Sequence, residues 1–287
     1  MKREKKSRWF RLLLITVIVI LAAVLLFFLL AQQMLFPGQW IRTEDPGPPP
    51  LGNIEVWNRR LDNDGTVYAW LIKADASSDS KSPVLVHAHG NGELIHDWPE
   101  RLRPYTHLGM HLLLVEYRGY GEAGGTPSQN AITDDFIYFL SRLRGRPDVD
   151  PNRVVFHGRS LGGGVACSVT HHIEPAALIL ESSFASISEM AKRFGIPTWL
   201  VTQPFDNLAC VERYKGPLLL FHGTKDKLIP IAQARQLRDH HRSARLVTLP
   251  CRHSNCPVDS RAYWEAIEEF LRTNGILTAK LPKGQSP

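Results

Sequence analysis

Ser160 stands in the run His157-Gly158-Arg159-Ser160-Leu161-Gly162-Gly163, which fits G-x-S-x-G. The apolar segment Val154–Phe156 precedes it and a helix-compatible stretch follows. That context is expected of a nucleophile elbow, a cramped strand-to-helix turn that lifts a serine above a sheet. The flanking glycines permit the turn because they carry no Cβ. The following helix end favours negative charge at the serine. The plainer reading is a glycine-rich turn with an idle serine.

A serine hydroxyl attacks poorly until a base takes its proton, and the base needs an acid to orient it. Where a G-x-S-x-G elbow sits on an α/β sheet, the acid follows the serine in the chain and the histidine comes last. Of the twelve histidines, only His240, His241 and His253 follow every candidate acid. His240 and His241 fall in a helical stretch that opens at Pro230. His253 lies in the loop Pro250-Cys251-Arg252-His253-Ser254-Asn255, past an apolar run ending at Leu249, and is the expected base. The expected acid is Asp226, in the loop after Leu218–Phe221, with Glu181 as its rival. A tetrahedral intermediate also needs donors for its oxygen. The expected pair is the backbone N–H of Leu161 and that of Asn91, in the loop His89-Gly90-Asn91-Gly92-Glu93.

These loops need a scaffold that brings them to one edge. Short apolar runs at 54–56, 67–72, 84–86, 112–115, 154–156, 177–180, 218–221 and 246–249 read as strands. From residue 84 onward they alternate with amphipathic stretches, which predicts a mostly parallel sheet with helices on both faces. One helix is expected over 131–143, opening at Thr126-Pro127-Ser128-Gln129 and ending at Gly145. A last helix places Tyr263, Ile267, Phe270 and Leu271 on one face. Three strands end in His-Gly, at 89–90, 157–158 and 222–223; these histidines read as satisfied groups at the core edge. Between Ser183 and Pro217 there is room only for a short cap, at about 184–216, whose aromatic residues either pack it down or wall an acyl site.

The 287 residues carry a net charge of +6, with 44% hydrophobic and 22% charged side chains. Residues 1–11 hold six basic side chains and one acid, so nearly all of the excess lies there and no basic face for nucleic acid is implied. Leu12 to Leu30 has Thr16 as its one polar residue and spans about 28 Å as a helix, enough to cross a bilayer. A signal peptide is the competing reading, but its apolar region is usually shorter and ends in a small-residue cleavage site, which Leu29-Leu30-Ala31-Gln32 does not offer. The expected organisation is a basic cytoplasmic tail at 1–11, an anchor at 12–31, a proline-rich linker at 32–53, a catalytic domain at 54–275 and a tail at 276–287. The Lys/Arg cluster should keep the N-terminus cytoplasmic and put the domain on the other side, in a periplasm or lumen. Cys251 and Cys256 bracket His253 and could pair there, with Cys210 as a third candidate. The spacing does not suit zinc, and no metal or cofactor is expected.

Five segments together carry a resemblance: HGNGE at 89–93, EYRGYGEAGGTPS at 116–128, GRSLGGG at 158–164, HGTKDKLIP at 222–230 and the His253 loop. Over roughly residues 54–275 the chain resembles the α/β-hydrolase superfamily, and most of all its membrane-anchored lipase and esterase branch. The resemblance implies the α/β-hydrolase fold and a serine hydrolase with Ser160 as nucleophile, Asp226 as acid and His253 as base. It implies amides near Asn91 and Leu161 as the oxyanion hole. The substrate it implies is a small-molecule or lipid ester. Peptidase or acyltransferase chemistry on the same fold is the alternative, and a non-catalytic anchored binding module a further one. The cysteines around His253 depart from the glycine-rich turn of many relatives.

Overall fold

The computed structural model describes residues 2–41, 53–62, 65–75, 81–256 and 261–277. The chain divides into two units, Met1–Pro37 and Gly38–Pro287. The first is one helix, α1 (Lys2–Leu35). Within it Arg8–Leu35 contains an 18-residue stretch of mean hydropathy 3.4 and is long and apolar enough to cross a membrane. Residues 32–35, expected in the linker, continue this helix, because nothing in Gln-Gln-Met-Leu breaks it. Half of that linker, 42–52, and the tail from 278 onward lie outside the described residues.

Among its described residues the second unit has eight strands: β1 (Ile54–Arg60), β2 (Thr66–Ile72), β3 (Ser82–Ala88), β4 (His111–Val115), β5 (Val149–Arg159), β6 (Ala177–Glu181), β7 (Leu218–Gly223) and β8 (Arg245–Leu249). They form one sheet in the order β1-β2-β4-β3-β5-β6-β7-β8. Only β2 runs against its neighbours β1 and β4; every other pair is parallel. The sheet is thus mostly parallel with helices on both faces, as the apolar runs predict, and the fold is the α/β-hydrolase fold that the resemblance implies.

The helices are α2 (Pro99–His107), α3 (Gln129–Arg144), α4 (Leu161–Thr170), α5 (Ile187–Arg193), α6 (Asn207–Arg213), α7 (Ile231–Asp239) and α8 (Arg261–Thr273). On one face Leu85, Leu112, Val155, Ile179 and Leu219 meet Trp98, Leu102 and Tyr105 of the α2 region and Tyr263, Ile267, Phe270 and Leu271 of α8. Each such side chain, fully buried, contributes roughly 1.5–3 kcal/mol. Helices α3, α4 and α7 pack on the sheet as well. The central strands β3 through β7 are buried along almost their whole length, which is why they read as unbroken apolar runs rather than as alternation.

Helix α3 begins two residues later than the sequence suggests. Ser128, not Thr126, is its N-cap and accepts from the Ala131 N–H at 3.2 Å. Gln129 is drawn away from a capping role: its Oε1 accepts from the Phe205 N–H at 2.9 Å and its Nε2 donates to Ser168 Oγ at 3.1 Å. His240 and His241 fall just past the end of α7 rather than inside it.

The topology prepares a site. From β3 the chain moves outward to β4, then α3 carries it back across to β5. At such a reversal the loops that follow the two adjacent strands diverge and leave a crevice at their carboxyl ends. The strands concerned, β3 and β5, end at the 89–93 loop and at Ser160.

Candidate active site

Ser160 sits between β5 and α4 with φ 52° and ψ −117°, a left-handed conformation that a side chain rarely adopts. Its surroundings over-determine it. Its N–H donates to the Glu181 carbonyl at 2.8 Å, and its carbonyl accepts from Ser183 Oγ and the Gly163 N–H, each at 3.0 Å. A Cβ at Gly158 would strike the backbone of Gly162, and one at Gly162 would strike the carbonyl of Ala88. The elbow therefore lies directly against the end of β3, and both glycines of the motif are required by that approach.

Asp226 and His253 come from the next loops along the sheet. Asp226 Oδ1 accepts from the Leu228 and Ile229 N–H groups at 3.0 and 2.9 Å, which curls the loop after β7 around its carboxylate. The loop after β8 is tied to it, since the Lys225 N–H donates to the Cys251 carbonyl at 3.0 Å and Cys251 and Cys256 are joined as a disulfide around His253. His253 Nδ1 then lies 2.8 Å from Asp226 Oδ2, and His253 Nε2 lies 3.0 Å from Ser160 Oγ. Burial pushes the Asp226 carboxyl upward, but the hydrogen bonds from His253 and the Ile229 N–H outweigh it and hold it below the usual carboxylate range. Asp226 is thus an anion, the form that fixes a proton on Nδ1 and leaves Nε2 to accept one.

Leu161 is the first residue of α4, where backbone N–H groups have no acceptor within the helix. Asn91 lies in the turn after β3, which the Glu93 N–H closes onto the Gly90 carbonyl at 3.4 Å. The two candidate donors stand on adjoining segments, because Gly162 packs on the backbone of Ala88 and His89.

Glu181 does not approach His253. It is buried at the end of β6, accepts from Tyr263 OH at 2.8 Å and lies 3.3 Å from Arg159 Nε and 3.5 Å from His157 Nε2. Burial raises its pKa, but the hydrogen bond to His157, the charge of Arg159 and the Tyr263 hydroxyl together leave it lowered. His89 pairs with buried Glu116 at 3.0 Å, and His222 Nε2 meets the Ile229 carbonyl at 2.7 Å, so both are held by the core edge. Arg159, Glu93 and the Glu116–His89 pair escaped the sequence reading. Their one signal was charge inside otherwise apolar or glycine-rich motifs.

In the cap, Phe184 and Phe205 are buried, whereas Phe194 and Trp199 are 70% and 74% exposed. Leu228, two residues from Asp226, is 58% exposed. The cap aromatics thus divide between packing and open surface. Cys210, the third candidate for pairing, is buried on α6 as a free thiol, as is Cys167 on α4.

No family model matches the chain. Among curated proteins, it is 30% identical to protein bem46 of Schizosaccharomyces pombe over 226 residues, covering 74% of this chain and 75% of bem46. It is also 30% identical to the alpha/beta hydrolase domain-containing protein WAV2 of Arabidopsis thaliana over 195 residues. This chain belongs to the α/β-hydrolase superfamily. A third relative, the uncharacterized YfhR of Salmonella typhimurium, is 33% identical over 194 residues. The match spans just under two thirds of YfhR and WAV2, 65% and 62% of their lengths, and 61% of this chain in each case. The fold is shared with solved structures as well. An esterase of Pyrococcus furiosus superposes with a TM-score of 0.63 at 18% identity, over 81% of this chain and 96% of that one. An acetyl xylan esterase of Paenibacillus sp. R4 gives 0.64 at 18% identity, over 78% and 85%.

Proposed function

We propose that this α/β-hydrolase cleaves esters through an acyl-enzyme formed on Ser160. The observation that carries the reading is the unbroken hydrogen-bonded series from Ser160 Oγ through both nitrogens of His253 to Asp226. In this reading His253 Nε2 takes the serine proton as Oγ attacks the ester carbonyl. Asp226 keeps the imidazole oriented and stabilises its cationic form. The amides of Leu161 and Asn91 receive the charge that develops on the carbonyl oxygen. The imidazolium then returns the proton to the departing alcohol. Water repeats the sequence on the acyl-enzyme and releases the acid.

Two observations favour an acyl or lipid-like substrate. Leu228 stands exposed beside Asp226, and Phe194 and Trp199 are open on the cap segment that leaves the carboxyl end of β6. Two of the solved structures of this fold are, by name, esterases. The apolar run of α1 serves in this proposal as a membrane anchor, with the basic N-terminus cytoplasmic and the hydrolase on the other side. Alkaline-carbonate extraction and protease protection of intact cells or spheroplasts check that topology.

The test of the chemistry is a fluorophosphonate probe with a panel of p-nitrophenyl esters of rising chain length beside peptide amides. Labelling that disappears in Ser160→Ala, with turnover of esters, is the expected result. A folded protein that neither labels nor turns over any ester would overturn the proposal, and cleavage of the amides alone would make it a peptidase.

A further inference from the structure

Arg159 fills the variable position of the G-x-S-x-G motif, a place that reads as free, yet it is only 6% exposed. Its guanidinium serves three acceptors on three segments. Nη1 pairs with Glu93 Oε1, Nε lies 3.3 Å from Glu181 Oε1, and Nη2 donates to the carbonyl oxygen of His253 at 2.8 Å. A planar fork of five donors can reach three separated acceptors, which a lysine ammonium on its single stem cannot. Glu93 continues the chain of contacts, since its Oε2 accepts from the Gly90 N–H at 2.7 Å. Gly90 immediately precedes Asn91. A Cβ at position 90 would stand 2.9 Å from Glu93 Oε2 and 3.4 Å from Arg159 Nη1, so a larger residue there would press on the same contact.

We infer that Arg159 and Glu93 are positioning residues that couple the histidine loop to the oxyanion loop across the nucleophile elbow. The inference rests on the ester-hydrolase reading above. One side of the ion pair grips the main chain of His253 itself, and the other holds the turn that carries Asn91, whose amide the ester-hydrolase reading assigns to the oxyanion. Core stability alone does not require such a pair, because apolar residues of similar volume often stabilise as well as a buried ion pair does. What apolar residues would not supply is a directed hold on two loops at once. A reacting group misplaced by about 1 Å can lose on the order of 100-fold in rate.

The experiment compares Glu93→Gln, Glu93→Ala, Arg159→Lys and the double variant Arg159→Lys/Glu93→Ala in the full chain, below the unfolding transition of each. The readouts are kcat and KM on one p-nitrophenyl ester and the rate of fluorophosphonate labelling. Glu93→Ala and Arg159→Lys are each expected to lower kcat about 10- to 100-fold with KM within about twofold. Glu93→Gln keeps an acceptor for the Gly90 N–H but loses the charge, and should fall between wild type and Glu93→Ala. The double variant should be no worse than the poorer single variant, because both cut one coupling. Glu93 is partly exposed, so its variants keep the test alive if Arg159→Lys does not fold. Folded variants with wild-type kcat, or losses that multiply in the double variant, would overturn the inference while leaving the ester-hydrolase reading intact. A wild type that neither labels nor hydrolyses would bring down both.

Discussion

Asp226 holds His253 with one carboxylate oxygen, Oδ2, and its own loop with the other. The two duties can be separated by substitution. Asn at 226 keeps an oxygen for the Leu228 and Ile229 amides but presents an NH2 to Nδ1, so the imidazole is fixed in the wrong tautomer. Asp226→Asn should therefore stay folded and lose roughly 10⁴-fold in kcat, the order seen when a serine-protease triad loses its carboxylate. Asp226→Ala should lose activity and, with the buried Ile229 N–H orphaned, about 1–3 kcal/mol of stability besides. Ester turnover and urea melts of the two variants check this. Equal stability would contradict the second duty.

The strained backbone at Ser160 gives a second expectation. A left-handed φ of 52° costs a residue with a Cβ on the order of 1–2 kcal/mol, and glycine almost nothing. Both Ser160→Ala and Ser160→Gly should abolish labelling, but the glycine variant should be the more stable, by about 1 kcal/mol or 2–4 °C in Tm after its greater unfolded-state freedom is discounted. Thermal melts of the pair decide it. An alanine variant as stable as the glycine one would mean that the elbow stores no strain.

The elbow was legible because a steric demand writes itself in residue type: Gly158 and Gly162 face backbone, and no other residue fits. The meeting of Asp226 and His253 was legible from loop order, since a βα sheet delivers its loops to one edge in chain sequence. Arg159 was not, because its partners lie 66 residues back and 22 and 94 residues on, and nothing local marks a charge as buried. The onset of α3 was misread for a related reason. Thr126 and Ser128 are both favourable caps in isolation, and a contact between Gln129 and the Phe205 amide 76 residues on accompanies the later start.

Buried histidines should make the fold sensitive to mild acid. His87 is a buried residue of β3, with its ring 4.0 Å, centroid to centroid, from that of Trp98. Burial first, and then the nearby His157, His89 and Arg159, push its pKa well below the ordinary 6.5. A histidine whose folded pKa is depressed contributes stability that is present above its unfolded value and is lost as pH falls. As the pH drops from 7 to 5 the unfolded chain takes up a proton that folded His87 refuses, so stability should decline, by at most about 1.4 kcal/mol per pH unit for this one group. His89 is raised, by Glu116 against its own burial, and works in the opposite direction. The discriminating measurement is thus a difference: His87→Leu should flatten the fall of Tm between pH 7 and 5 relative to wild type. Parallel Tm–pH curves would show that His87 is not the group responsible.

The disulfide between Cys251 and Cys256 closes a ring of six residues around His253. Chain-entropy arguments give so short a ring only about 2 kcal/mol. Its larger effect should fall on the loop, which hangs from β8 and presents His253. Of the four cysteines in the chain, Cys167 and Cys210 are free and buried. Protein isolated from an oxidising compartment should therefore titrate two thiols when unfolded without reductant and four after reduction. Mild reduction, or Cys251→Ser with Cys256→Ser, should lower kcat on a p-nitrophenyl ester several-fold or more while shifting Tm by only a few degrees, because a freer loop aligns His253 with Ser160 for less of the time. Two outcomes would sink this: four titratable thiols before reduction, or a reduced enzyme as active as the oxidised one.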